Sequence, residues 1–96
     1  MDTLEITPEE EEKILKNVFH SLEPLKLKVL SSKAKKKEVI YKKIAGQFEK
    51  DKKYTEQDVN GTLKQIYPED FSSLRRGLIE MGYMDRKSDG SEYWLK

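Results

Sequence analysis

The chain has 96 residues, which is enough for one domain with a small hydrophobic core and too few for a second domain. Charged side chains make up 39% of it, yet 19 basic against 18 acidic residues leave a formal net charge of +1, so the overall charge favours no particular partner. The absence of cysteine excludes disulfides and thiolate chemistry, and no apolar run approaches the ~20 residues of a membrane span. The start, Met1–Glu5, is acidic and unlike a signal peptide. We therefore expect a soluble cytoplasmic protein with no membrane partner.

Residues 1–23 read as an acidic N-terminal helix, with seven acids and two lysines for a net charge of −5. Thr7 is a suitable N-cap, Pro8 suits the first turn, and Glu9–Glu12 lie at the positive end of the helix dipole. Glu23-Pro24 would end the helix. Apolar residues at helical spacing form one stripe: Ile14, Leu15, Val18, Phe19 and Leu22. The stripe predicts packing, either on the rest of the chain or against a second copy in a homodimer.

Residues 24–54 carry the positive charge, with eleven lysines and three acids for a net charge of +8. Leu25, Leu27 and Val29 alternate with Lys26 and Lys28, which is typical of a half-exposed strand or extended connector. Ser31 or Ser32 would then cap a helix that runs to about Phe48. Lys52–Tyr54 is a candidate short strand. The lysines of this helix are either a surface for phosphates or an ordinary solvated face.

Residues 55–96 carry a net charge of −2 and follow the order helix, turn, helix, hairpin. Thr55–Asp58 resembles a capping box, Pro68 suits the first position of the next helix, and Gly82 would end it. Tyr83–Lys87 and Glu92–Leu95 flank Ser88-Asp89-Gly90-Ser91, and Asp-Gly favours a type I′ turn. A two-residue turn predicts a register in which Lys87 faces Glu92, Arg86 faces Tyr93, Asp85 faces Trp94 and Met84 faces Leu95. With Lys52–Tyr54 as a third strand, this order predicts a mostly helical α+β fold. We expect a winged helix-turn-helix over 31–96, with a three-helix core, a C-terminal β-hairpin wing and the extra helix 1–23.

Several of these residues together resemble a known bacterial family. They are Tyr54-Thr55-Glu56, Asp58-Val59-Asn60, Leu63, Leu74-Arg75-Arg76, Leu78-Ile79, Gly82-Tyr83, Arg86, Gly90 and Tyr93-Trp94. The family is a winged-helix-like domain of unknown function, found alone or C-terminal to ArsR-type and other helix-turn-helix regulators. The resemblance covers about Ser31 to Lys96, with Ser31-Ser32 where the family usually has a proline. It implies a role in transcription or DNA binding, and no catalytic activity, cofactor or ligand.

A winged helix that binds double-stranded DNA would place its second helix, 68–82, in the major groove. Helical spacing predicts an inward side of Phe71, Leu74, Leu78 and Met81 and an outward side of Ser72, Ser73, Arg76, Gly77 and Glu80. Of the outward residues, Ser72, Ser73 and Arg76 are the groove candidates, because arginine can donate bidentately to guanine. Phosphate contacts are expected from Lys33, Lys35 and Lys36, and wing contacts from Arg86 and Lys87. Arg75 lies nearer the core, so we expect it to be structural, pairing with Glu56, Asp58 or Asp70. The net charge of this helix is −1, which argues against a strong groove reader.

The alternative is a non-catalytic protein-interaction module that keeps the winged-helix scaffold and binds no DNA. Trp94 would lie on the outer face of the hairpin with Asp85 and Glu92, as an interface anchor unless the first helix or the 25–30 segment covers it. The acidic helix could dock on a partner or mask the lysines. His20 is the only histidine and would lie on the outer side of the first helix. We expect no enzyme activity, no metal and no cofactor.

Overall fold

Four helices and two small antiparallel hairpins make up the structure, a computed structural model that describes residues 6–96. Residues 1–5, the start of the predicted acidic segment 1–23, lie outside the described residues. The elements follow in chain order: α1 (Pro8–Val18), β1 (Phe19–Leu22), β2 (Leu25–Leu27), α2 (Ala34–Ala45), α3 (Glu56–Ile66), α4 (Phe71–Glu80), β3 (Met84–Arg86) and β4 (Tyr93–Leu95). The fold is therefore α+β and mostly helical.

Helix α1 begins after the predicted cap, Thr7, but ends at Val18, five residues before the predicted end at Glu23. A capping box closes its start, since the Thr7 hydroxyl accepts from the Glu10 N–H at 3.1 Å and the Glu10 carboxylate accepts from the Thr7 N–H at 3.2 Å. The predicted helix over 19–22 is wrong, because this segment is extended and pairs with β2. Pairing buries Phe19, Leu25 and Leu27 together. The lone histidine, His20, consequently lies exposed on β1 and not on a helix.

Helix α2 lacks the predicted serine cap. Its N-cap is Lys33, which makes no side-chain capping bond, while the Ser31 hydroxyl accepts from the Lys33 N–H at 3.1 Å and so stabilises the turn before the helix. The helix ends at Ala45, and turn hydrogen bonds carry the chain on to Phe48. Ile40 and Ile44 are fully buried, as the predicted apolar side requires.

Helices α3 and α4 are both present, but α4 starts later than predicted. Thr55 and Asp58 form the expected capping box at the start of α3. Pro68 lies in a turn between the helices, and Asp70 caps α4 because its carboxylate accepts from the Ser73 N–H at 3.3 Å. Gly82, with φ +82°, follows the end of α4 in the left-handed conformation that glycine favours.

The C-terminal hairpin has the predicted register with a different turn. Met84 pairs with Leu95, Asp85 with Trp94 and Arg86 with Tyr93. The Gly90 N–H donates to the Lys87 carbonyl at 2.8 Å, and within 87–92 only Gly90 has a positive φ. A type I′ turn requires positive φ at both central residues, so that prediction is wrong.

A single residue joins the hairpin to the chain before α3. Tyr54 and Tyr93 exchange two backbone hydrogen bonds of 2.8 Å in an isolated antiparallel bridge. The predicted strand over 52–54 is thus reduced to one bridging residue. With it, β4 lies between Tyr54 and β3, and this edge attaches the hairpin beside α3 and α4.

One hydrophobic core underlies all of these elements. Its completely or almost completely buried side chains are Val18, Ile40, Ile44, Val59, Leu63, Leu74, Leu78 and Met84. They come from α1, from each of the helices α2 to α4 and from β3, so each helix buries one face and leaves the other for solvent. This core fixes which side of α4 faces outward.

Candidate functional site

The outward side of α4 is set by three small or apolar positions that face the core. Leu74, Gly77 and Leu78 are buried, whereas Ser72 is half-buried and Arg76 is exposed. Gly77 admits the ring of Tyr41 from α2, since a Cβ at Gly77 would lie 2.2 Å from the Tyr41 hydroxyl oxygen. That hydroxyl donates to the Ser73 carbonyl at 3.4 Å. The close packing of α2 on α4 therefore leaves Ser72 and Arg76 as the open face of the helix.

A polar groove of about 310 Å³ separates the start of α2 from α4. Its lining residues are Leu30, Ser31, Ser32, Lys37, Tyr41, Ser73, Arg76, Gly77 and Glu80. The structure thus brings two of the predicted groove residues, Ser73 and Arg76, beside the lysine-rich helix. Ser73 is also committed to the cap, because its hydroxyl donates to the Asp70 carboxylate at 2.6 Å.

The predicted phosphate-binding lysines have different surroundings. Lys33 is exposed at the N-cap of α2 and Lys36 is half-buried. Lys35 instead reaches α1, where its ammonium lies 3.0 Å from the Glu10 carboxylate. This hydrogen bond is the main reason that the pKa of Glu10 is lowered. The acidic helix therefore neutralises one lysine of the basic helix directly.

A second opening, about 360 Å³ in volume, lies between α3, α4 and the hairpin, and we call it the arginine cleft. Its lining residues are Glu56, Arg75, Arg76, Ile79, Glu80, Arg86 and Tyr93. The chain has only three arginines beside its 16 lysines, and all three line this one cleft. Two are the consecutive residues Arg75 and Arg76 of α4, and the third is Arg86 of β3.

The sequence predicted that Arg75 pairs with a carboxylate, but in the structure its partner is an amide. It donates through Nη1 to the side-chain oxygen of Asn60 on α3. Glu56, its expected partner, accepts instead from the Tyr93 hydroxyl at 3.1 Å. Within residues 6–96, no carboxylate oxygen lies within 4.0 Å of any of the three guanidinium groups.

Glu56 and Arg86 both lie beside Gly90 of the hairpin turn. A Cβ at Gly90 would lie 3.4 Å from a Glu56 carboxylate oxygen and 3.6 Å from a guanidinium nitrogen of Arg86. Burial raises the pKa of Tyr93, and its hydrogen bond to Glu56 raises it further. Tyr93 therefore stays a neutral donor that holds Glu56 against the hairpin.

The remaining hairpin candidates, Lys87 and Trp94, already contact neighbouring side chains. Glu92 lies 3.6 Å from the ammonium of Lys87 and 3.5 Å from that of Lys53. Lys53 also lies 5.0 Å from the ring centroid of Trp94, a cation–π contact on a half-buried ring. Asp85 opposes Trp94 in the register, as predicted.

Sequence reasoning missed the arginine cleft as a unit. It assigned Arg75 to a structural pair with Glu56, Asp58 or Asp70, and it did not consider Tyr93 for a site. One signal was available, since three arginines against 16 lysines is a marked imbalance, and arginine is the better residue for planar oxyanions. Their convergence was not readable, because it depends on how β3 returns beside α4.

Two kinds of feature are absent from the part of the chain that the structure describes. Residues 6–96 contain no cluster of three or more acidic or histidine side chains that could hold a metal ion. No helix among them is both long and apolar enough to cross a membrane.

Comparison with known families assigns most of the chain. Residues 26–95 match the family described as "Uncharacterized protein conserved in bacteria (DUF2087)", and the chain belongs to this family. The predicted resemblance to an uncharacterized bacterial family is thereby confirmed, while α1 and β1 lie outside the match. No curated protein and no solved structure matches the chain.

Proposed function

We propose that residues 31–96 form a winged helix-turn-helix that binds double-stranded DNA as a transcriptional regulator or as part of one. The order α2, Tyr54, α3, α4, β3, β4 supports this proposal, together with the bridge that places β4 between Tyr54 and β3. In such a domain the helix after the turn enters the major groove and the hairpin contacts the flanking backbone. Here these roles fall to α4 and to the 83–96 hairpin.

One observation carries the proposal: every arginine of the chain lies on the surface shared by α4 and the hairpin. Guanidinium groups bind both guanine edges and phosphates in bidentate geometry, so this surface suits a DNA duplex. Arg76 is the most exposed of the α4 arginines and is the proposed base-reading residue. Ser72 flanks it one turn earlier.

The other proposed contacts with DNA come from basic side chains that are exposed or half-buried on α2 and the hairpin. Lys33 and Lys36 would contact phosphates from α2, whereas Lys35 contributes less because Glu10 already binds it. Arg86 and Lys87 would contact the backbone from the wing. With few cationic contacts and a net charge of −1 on residues 68–82, binding should be of modest affinity at physiological salt.

Fluorescence anisotropy with labelled duplexes tests the proposal. The logarithm of the binding constant should fall with the logarithm of salt concentration, with a slope near −0.9 per phosphate contact. Arg76→Ala should change the preference among duplex sequences, whereas Lys36→Ala should weaken binding to all of them alike. Lys28→Ala is the matched control, because Lys28 is exposed directly after β2 and lines none of the cavities described above. Unchanged binding in both variants would refute the assignment of the surface.

A second candidate is a protein-interaction module that pairs two copies of the chain through the N-terminal hairpin. The observation in its favour is an apolar groove of about 320 Å³, lined by Leu15, Phe19 and Leu22, in which Leu22 is 43% exposed. Glu12 and Lys16 line the same groove. A two-fold related copy would oppose each to its counterpart of opposite charge.

Sedimentation equilibrium tests this candidate. If the groove is a homodimer interface, Leu22→Lys should convert dimer to monomer without unfolding the chain, since Leu22 is exposed in one copy. A monomer at all concentrations for the unchanged protein would exclude it.

A further inference from the structure

We infer that the arginine cleft is a binding site for one phosphate group and that Arg75 is one of its ligand-binding residues. The inference rests on the proposed function for the source of that phosphate, which is the DNA backbone, but the chemistry of the cleft stands on its own geometry. It assigns to Arg75 a role that neither the sequence pattern nor the family description provides.

The first argument is the state of the guanidinium groups. Two carboxylates, Glu56 and Glu80, line the cleft with the arginines, yet neither comes within 4.0 Å of a guanidinium nitrogen. Glu56 is held by the Tyr93 hydroxyl instead. Neither carboxylate therefore forms an ion pair with the arginines, and no other carboxylate among residues 6–96 does so, which leaves their positive charges open to an added anion within the described part of the chain.

The second argument is pre-organisation. Arg75 is fixed by its hydrogen bond to Asn60, a neutral acceptor that leaves the guanidinium charge uncompensated. One guanidinium has five N–H donors in a rigid fork, so this bond leaves several donors for a ligand. Because the side chain is already ordered, less rotamer entropy is lost on binding.

The third argument is the size and charge of the cleft. Its volume of about 360 Å³ accommodates a phosphate with an attached sugar and stays open to solvent. Three arginines against two glutamates give the lining a net charge of +1. That balance suits a phosphodiester or a phosphate monoester, whereas the two glutamates would repel the higher charge of a polyphosphate.

The lysine-rich surface of α2 does not provide a phosphate site equivalent to the arginine cleft. Lysine is a strongly hydrated point charge on a flexible stem, and the lysines of α2 are spread along the helix. Lys35 is moreover bound to Glu10. The arginine cleft is therefore the place where planar, bidentate oxyanion recognition is available.

NMR of the arginine side chains tests the inference directly, because the chain has only three arginine Nε–Hε groups. The protein is titrated with inorganic phosphate, with chloride at equal ionic strength as the control. We expect saturable shifts of at least two of the three signals with phosphate and none with chloride. Arg86→Gln should weaken phosphate binding about tenfold, and Lys28→Gln, with the same change of charge, should not.

A second titration with a short mixed-sequence duplex separates the inference from the proposed function. If the duplex shifts the same arginine signals and phosphate competes with it, both stand. If phosphate shifts them and the duplex does not, the site stands with free phosphate as its source, and the proposed DNA function fails. If phosphate shifts none of them, the inference is overturned, whatever the duplex does.

Discussion

Gly77 of α4 lies against the ring of Tyr41 of α2. Because glycine has no side chain, there is room for this ring. An added Cβ would lie 2.2 Å from the Tyr41 hydroxyl oxygen and 2.3 Å from the ring carbon that bears it. Tyr41 is only 3% exposed, so the ring has little room to move away. We expect Gly77→Ala to lower the free energy of unfolding by ~1–3 kcal/mol, as overpacking does, in urea denaturation.

Gly61→Ala is the matched control for this prediction. Gly61 is an exposed interior position of α3, and an added Cβ there meets nothing within 4 Å. The alanine should therefore raise the free energy of unfolding by ~0.5–1 kcal/mol, because it reduces the entropy of the unfolded chain and favours helix. Equal effects of the two substitutions would mean that Tyr41 does not pack on Gly77 in solution.

Tyr83 provides a pH-dependent prediction. Burial, together with the hydrogen bond that its hydroxyl donates to Glu38 at 3.0 Å, raises the pKa of Tyr83 from 10.0 to about 12. The unfolded chain therefore loses this proton at a lower pH than the folded protein. The resulting stabilisation is complete below pH 10 and declines as the pH rises from 10 to about 12.

Urea unfolding across that pH range checks the prediction. Tyr83→Phe keeps the ring and removes the titrating group, so its free energy of unfolding should fall less steeply than that of the unchanged protein between pH 10 and 12. Parallel profiles for the two proteins would show that Tyr83 titrates normally.

The side of a helix on which a residue lies was easier to predict from the sequence than the hydrogen-bonding partner of its side chain. Helical spacing alone placed Arg76 outward and Leu74 and Leu78 inward, and the structure agrees. It also placed Gly77 outward, and this was wrong, because Gly77 is buried against Tyr41. The partner of Arg75 could not be found in this way. Asn60 on α3 reaches it only because of the angle between the two helices, which spacing within one helix does not encode.

At the scale of elements, local signals were sufficient wherever a side chain caps its own helix. The capping boxes at Thr7 and Thr55 involve residues three apart and are both present. The end of α1 was mispredicted because Phe19 and Leu22 continue the helical spacing, and pairing with Leu25–Leu27 over-rides it. The choice depends on a partner strand, and a single-segment pattern contains no information about one.

Helix α1 packs on α2, and the Glu10 carboxylate of α1 pairs with Lys35 of α2. This pair reduces the positive charge that α2 presents to a duplex. Glu10→Gln should release Lys35, tighten duplex binding and make the salt slope steeper by about one contact, while glutamine at this position preserves the capping box. Anisotropy measurements at several salt concentrations give both quantities.

Glu12→Gln is the control on the same helix. It removes the same charge, but among residues 6–96 the one ion pair of Glu12 is with exposed Lys16, at 3.9 Å. If only the net charge mattered, the two variants would bind the duplex with equal affinity. That result would contradict a specific effect of the Glu10–Lys35 pair. Deleting residues 1–23 is less informative, because it would remove Val18 and Phe19 from the core.

At the scale of the molecule, the sequence predicted the α+β class, the order of α2, α3, α4 and the C-terminal hairpin, and the register of that hairpin. It did not predict that Tyr54 alone bridges to Tyr93 or that β3 returns to place Arg86 beside Arg75 and Arg76. Both depend on long-range contacts. The candidate site is therefore a property of the assembled fold, although its residue types were visible in the chain.

The most direct test of the account is an amide NMR titration with a mixed-sequence duplex, at low salt and then at physiological ionic strength, where the screening length is about 8 Å. We predict shifts clustered on residues 72–76 and 86–92 that persist at the higher ionic strength. Shifts confined to 33–43 and abolished by salt would mean non-specific attraction to the lysines. Either that pattern or the absence of shifts would contradict DNA recognition by α4 and the hairpin.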